Sequence, residues 1–231
     1  MISPDLDINH LRTEFARDAR VRIDNILLPD VAERLRAAAA EASFELVYVI
    51  DDQLKRISRA AFEAMSVEAR QELNQKIMQH ASQGVGYLYG SCHLGESRPA
   101  DMSPLMVQLF ETLQDETTLA LVRDITGDDS VCSVTGHYTR FLPGQFLTRH
   151  RDIVENRDRR FAYVLSFTQR WHPDWGGLLQ FYEEDGTPRD AWTPTFNSLV
   201  LFDVKHIHAV TYVAPYALEP RLSLTGWFKS S

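Results

Sequence analysis

Cysteine is nearly absent. Cys92 and Cys132 are the two in 231 residues. They are too few for a disulfide framework and too far apart for a short metal-binding pair, so a reducing, cytoplasmic setting is expected. Long apolar runs are missing as well. None approaches the roughly 18 residues a membrane-spanning helix requires, and the opening MISPDLDINH lacks the basic-then-apolar order of a secretory signal; no membrane partner is expected. Positive charge is in deficit, with 24 Lys and Arg against 32 Asp and Glu and a net charge of −8. Surfaces that track nucleic acid are normally basic, so no nucleic-acid partner is expected, and the short run RDRR at 157–160 reads as a solvated loop. No internal repeat stands out, and no Ser/His/Asp or Cys/His arrangement points to a side-chain nucleophile.

What is present suits a single globular unit, with 44% hydrophobic and 24% charged residues. The first half reads helical. In LPDVAERLRAAAAEA, Asp30 and Glu33 have the spacing of a capping box, with Val31, Leu35, Ala38, Ala39 and Ala42 on one face. Ser66 is placed to cap a second helix that stops near Gly84, Ser103-Pro104 to open a third, and Gly127 to end a fourth. FELVYVI, 44–50, reads as a strand among them. After Gly127 come short β-branched and aromatic runs separated by Gly, Pro, Asn and Asp, the pattern of a sandwich or barrel. The expected class is α+β with a mainly β core: one domain over 1–231, a mostly helical support region at 1–129 and a β core at 130–231.

The β half carries the chemistry-bearing spacing. In FLTRHRDI, His150 and Asp152 lie two apart, which on a strand puts both on one face. RWHPDWGG repeats the spacing with His172 and Asp174, but Pro173 and the glycines demand a turn there, which suits loop polarity better than a rigid ligand pair. KHIHAV offers His206 and His208 as a third donor, and His208 is preferred because it lies inside the β-rich run. Two imidazoles and one carboxylate with open positions form the facial triad of non-haem Fe(II) oxygenases. In PRLSLTGWF, Arg221, Ser223, Thr225 and Trp227 share one face and Leu222, Leu224, Gly226 and Phe228 the other. If the first face lines a barrel mouth, Arg221 is a buried cation needing an anion, and its guanidinium suits a carboxylate because it donates two parallel hydrogen bonds. Pairing 207–213 with 221–228 as a hairpin would set Thr225 near His208.

With His150-x-Asp152, His208 and Arg221 in this order, the chain resembles the 2-oxoglutarate/Fe(II)-dependent oxygenases, and within them the prolyl-hydroxylase branch. The resemblance covers 130–229 through HYTRFLPGQFLTRHRD, WGGLLQFY, NSLVLFDVKHIHAV and RLSLTGWF, and extends more weakly to RVRIDNILLPDVAERLRAA, which is similar to the opening segment of relatives of ribosomal-protein prolyl hydroxylases. It implies a double-stranded β-helix, or jelly roll, with iron held by His150, Asp152 and His208. It implies that Arg221 binds the distal carboxylate of 2-oxoglutarate, with Tyr138 and Thr225 near that cosubstrate. The implied cofactors are Fe(II), 2-oxoglutarate and O2, with ascorbate as an accessory reductant. The implied reaction couples oxidative decarboxylation, giving succinate and CO2, to hydroxylation of an aliphatic C–H. A prolyl residue in a protein or peptide is the leading substrate; a free amino acid or other small molecule and a non-catalytic cupin-like metal module are the alternatives. The stretch GVGYLYGSCHLGES, 84–97, reads equally as a lid over the mouth or as a surface connection.

Overall fold

A computed structural model of the chain describes residues 1–94, 98–154 and 158–231. Six helices and twelve strands follow in chain order among them. The N-terminal half holds α1 (Ile8–Asp18), β1 (Arg20–Asp24), α2 (Pro29–Glu41), β2 (Glu45–Ile50), β3 (Gln53–Ile57), α3 (Arg59–Glu63), α4 (Val67–Ala81), β4 (Tyr87–His93), α5 (Pro104–Gln114) and α6 (Glu116–Thr126). The C-terminal half holds β5 (Ser133–Phe141), β6 (Phe146–His150), β7 (Arg159–Ser166), β8 (Leu179–Tyr182), β9 (Pro188–Trp192), β10 (Ser198–Asp203), β11 (Ile207–Val210) and β12 (Arg221–Lys229).

Local signals explain most helix ends. The Ser66 hydroxyl accepts from the Ala69 amide at 3.1 Å at the start of α4. Gly127 ends α6 in the left-handed region at φ 72°, and Pro104 opens α5 at its first turn. At α2 the expected capping box is not formed. Pro29 takes the first helical turn, the flanking residue is Leu28 with no side-chain cap, and Asp30 already lies inside the helix. Glu33 turns to Arg36 instead.

Among the described residues every strand pairing is antiparallel, and the order β1-β10-β7-β12-β5-β4-β6-β11-β8-β9 is continuous, with β2 joined to β3 and β4. The sheet rolls over on itself: Phe181 of β8 meets Phe202 of β10 edge-on at 5.3 Å although their strands are far apart in that order. This is the double-stranded β-helix. The helices α1, α2, α5 and α6 cover its outer face through Phe15, Leu35, Leu109 and Ile125 against Leu165, Leu201 and Leu224. Residues 1–129 are therefore more than a helical support, because β1 extends the sheet beside β10 and β4 fills the gap between β5 and β6.

The expected hairpin of 207–213 with 221–228 does not form. β11 pairs with β6 and β8, while β12 lies between β5 and β7. Gly226 permits this central position, since a Cβ there would sit 1.8 Å from the Thr135 carbonyl oxygen on β5. Gly226→Ala must push β5 and β12 apart. It should lose about 3 kcal/mol in urea unfolding, the upper end for forced overpacking; a loss below about 1 kcal/mol would show that the two strands tolerate separation.

Candidate active site

β6 delivers His150 at its last position, and β11 sets His208 directly opposite it in register. Asp152 follows β6, its amide donating to the Val204 carbonyl at 3.3 Å. The carboxylate reaches both rings, with Oδ1 3.6 Å from His150 Nε2 and Oδ2 3.5 Å from His208 Nε2. One donor atom from each of the three lies within 4.8 Å of the others. Each ring is fixed from behind, as His150 Nδ1 donates to the Thr148 carbonyl at 2.9 Å and His208 Nδ1 to the His206 carbonyl at 3.0 Å. The proton is thereby held on Nδ1 and the Nε2 lone pairs face the common centre, the arrangement metal-binding imidazoles use.

The electrostatics agree. Burial, reinforced by the adjacent His150, pushes His208 down to about 4, so its ring is neutral near pH 7. Burial opposes ionisation of Asp152, but the His150 hydrogen bond and the His208 and His150 rings outweigh it and hold the carboxyl at about 2. Two imidazoles and one carboxylate on one side of a point, with the other side facing a cavity, fit a six-coordinate Fe(II) with open positions.

That cavity, of about 390 Å³, is bounded by the triad and by Arg221. Arg221 is 3% exposed. Its Nη1 donates to Ser223 Oγ at 3.3 Å, its Nε is buried without a partner, and Phe141 stacks 5.4 Å beneath it. Burial draws the guanidinium down to about 10, still charged at neutral pH. Among the described residues no carboxylate lies within salt-bridge reach of Arg221. A buried cation with unused donors fits an incoming carboxylate, which is what the distal end of 2-oxoglutarate presents.

Thr225, Ser223 and Trp227 face the cavity beside Arg221, as the alternation on β12 requires. Tyr138 does not. It is fully buried on the opposite, helix-facing side of β5, its hydroxyl donating to the Met106 carbonyl at 2.9 Å and its ring stacked on Phe167. Its neighbours His137 and Thr139 take the cavity face, and the tyrosines that reach the cavity are Tyr87 and Tyr89 of β4. Burial raises the Tyr89 phenol to about 12.

His172 and Asp174 sit on an exposed turn, where His172 Nδ1 accepts from the Asp174 amide at 3.2 Å. His206 turns away to the Asp18 carbonyl. Of the four tryptophans, Trp171 packs edge-on against Trp175 and Trp192 against Phe181, while Trp227 lines the cavity.

Arg159 overturns the reading of 157–160 as a solvated loop. Its guanidinium stacks 3.5 Å over Trp227 and its Nη1 donates to the Asp152 carbonyl at 3.4 Å. Arg160 pairs with Asp128, and residue 157 lies outside the described residues. The stretch 84–97 is largely β4, an inner strand of the sheet rather than a loop; 95–97 lie outside the described residues. The alternation of Tyr87 and Tyr89 was the signal in the sequence for that strand.

Fold and site together are similar to those of the 2-oxoglutarate/Fe(II) oxygenases. Residues 136–229 match the 2OG-Fe(II) oxygenase superfamily, and the chain carries that domain. When bound, iron with 2-oxoglutarate and O2 supplies the oxidising power for hydroxylating an unactivated C–H bond. The chain is 28% identical over 129 residues to the prolyl 3-hydroxylase OGFOD1 of Mus musculus, covering 53% of this chain and 23% of that protein. It is 29% identical over 142 residues to the prolyl 3,4-dihydroxylase OGFOD1 of Ostreococcus tauri, covering 54% and 26%. The aligned stretches thus span about a quarter of these curated relatives. Among solved structures, a Pseudomonas putida prolyl-4-hydroxylase superposes with a TM-score of 0.60 at 18% identity, over 96% of this chain and 98% of its own. A Trichoplax adhaerens prolyl hydroxylase, in complex with a hypoxia-inducible-factor peptide fragment, superposes with a TM-score of 0.62 at 16% identity, over 96% and 89%.

Proposed function

We propose that this oxygenase hydroxylates a prolyl residue within a protein or peptide. The observation that carries the reading is the charge of the cavity wall. Arg151, Arg159 and Arg221 are cationic, and Asp152, the metal ligand, is the one carboxylate among the described lining residues. A free amino acid brings an ammonium group, and among the described lining residues no further acidic side chain is left to receive it. A residue inside a chain brings no such charge. Val85, Tyr87, Val154 and Trp227 supply apolar and aromatic surface for an aliphatic ring. The prolyl hydroxylases among the relatives support the same substrate class.

The geometry supports a division of labour. His150, Asp152 and His208 hold the metal, Arg221 orients the cosubstrate by its far carboxylate, and the rolled sheet keeps bulk water from the buried end. The test is succinate formation with Fe(II) and 2-oxoglutarate, ascorbate being added as reductant, in the presence of proline-containing peptides or of free L-proline. Peptides should stimulate it, with an oxygen-sized mass gain on proline that disappears when that proline is replaced by alanine. Stimulation by free L-proline alone would favour the small-molecule reading, and no consumption of 2-oxoglutarate would favour a metal module without turnover.

A further inference from the structure

A second depression of about 640 Å³ adjoins the active-site cavity and shares Tyr89, His137, Arg159 and Trp227 with it. It crosses the sheet from Arg56 on β3 to Lys229 on β12. The strands between them run β3-β2-β4-β5-β12. Four steps of about 4.8 Å give roughly 19 Å, the length of about six extended residues. Arg56, Arg159 and Lys229 are its charged residues, His93 and His137 stack in its floor at 5.9 Å, and no aspartate or glutamate is among its described lining residues. Each cation has a contact of its own: Arg56 meets the His93 ring, Arg159 lies 4.0 Å from the Asp152 carboxylate, and Lys229 Nζ donates to Ser231 O at 2.9 Å. Glu45, whose charge His93 feels, lines the next depression beside Arg59 and Glu63. On a chain with a net charge of −8, this positive channel leading to the iron site stands against the general sign of the protein.

We infer that this groove seats the chain flanking the reacting residue and that its charge selects acidic side chains there. The inference rests on the peptide reading of the active site and adds the substrate's charge class to it. Trp227 and Arg159 belong to both depressions, so a segment leaving the iron site passes over them before it reaches Arg56 or Lys229. Charges at such a rim set the encounter rate and its salt dependence, and they are screened beyond about 10 Å at 0.1 M salt.

The experiment measures binding rather than turnover. Three fluorescein-labelled peptides carry one central proline flanked by glycine and by glutamate, glutamine or lysine. Each is titrated by fluorescence anisotropy into protein loaded with Mn(II) and 2-oxoglutarate. At low salt the glutamate peptide should bind about tenfold tighter than the glutamine peptide, corresponding to about 1.4 kcal/mol, and the lysine peptide more weakly than both. The advantage should vanish at high salt. Arg56→Glu combined with Lys229→Glu should reverse the order, whereas Arg56→Lys should keep it; unchanged thermal melting of these variants confirms that they fold. Equal affinities, no binding of any peptide, or a glutamate preference that survives the double charge reversal overturns the inference. Glutamate preference without a mass gain on proline would instead sink the hydroxylation reading and leave the groove standing.

Discussion

A His208→Ala variant should no longer be stabilised by metal. Wild-type protein at a metal concentration of 100 times Kd gains about 2.7 kcal/mol, which for a chain of this size is about 5–10 °C in Tm. The measurement is differential scanning fluorimetry with and without Mn(II), the redox-silent stand-in for Fe(II). Losing one of three protein ligands should weaken binding by at least about a hundredfold, since even outer-shell partners of metal ligands account for about 10–100-fold, and the shift should fall to nearly zero. The baseline Tm will also move, because His208 is packed edge-on against Phe202 at 4.7 Å and its removal leaves a void. The metal-dependent difference, not the baseline, is therefore the readout. His172→Ala is the matched control: it has the same spacing to an aspartate, yet it sits on an exposed turn and should keep the full shift. Retention of the shift in the His208 variant together with its loss in the His172 variant would place the metal on the wrong pair.

His150, Asp152 and His208 could be read from spacing because the two rings sit at strand positions whose parity is fixed by their own neighbours. β12 was equally legible: it is buried on both faces with different chemistry on each, so the polar row Arg221, Ser223, Thr225 and Trp227 separates from the apolar row. Tyr138 shows where this stops. Whether it or His137 meets the cavity depends on how β5 is registered between β4 and β12, and a shift of one residue exchanges the two faces. That register is set by contacts from distant parts of the chain, Cys92 on one side and Leu224 on the other. Strand pairing was hidden for the same reason. β11 and β12 are neighbours in sequence, yet β6, β8, β5 and β7 claim their edges. β1 and β4 were obscured by brevity, being five and seven residues among helices. Arg159 was misread because a basic run is usually solvated, and nothing local announces that Trp227, 68 positions on, will lie beneath it.

Arg221→Met should do two opposite things, and together they separate a cosubstrate role from a structural one. In protein without 2-oxoglutarate the variant should be more stable. The wild-type guanidinium is fully buried with an unpartnered Nε and, among the described residues, no carboxylate in reach. Replacing an unpaired buried charge by an apolar side chain of similar length removes a desolvation cost of several kcal/mol. Part of that returns through the lost bond to Ser223 and the lost stacking on Phe141, so a net gain of about 1–2 kcal/mol, or about 2–8 °C in Tm, is expected. In the metal-loaded protein, 2-oxoglutarate should bind about 30-fold or more weakly, the lower end for truncating one partner of a buried, hydrogen-bonded charge pair, as read by calorimetric titration. The Mn(II)-dependent shift should persist, because Arg221 is not a metal ligand. A structural arginine would show the reverse, with a lowered Tm and an unaltered affinity for 2-oxoglutarate, and that result would remove Arg221 from the site.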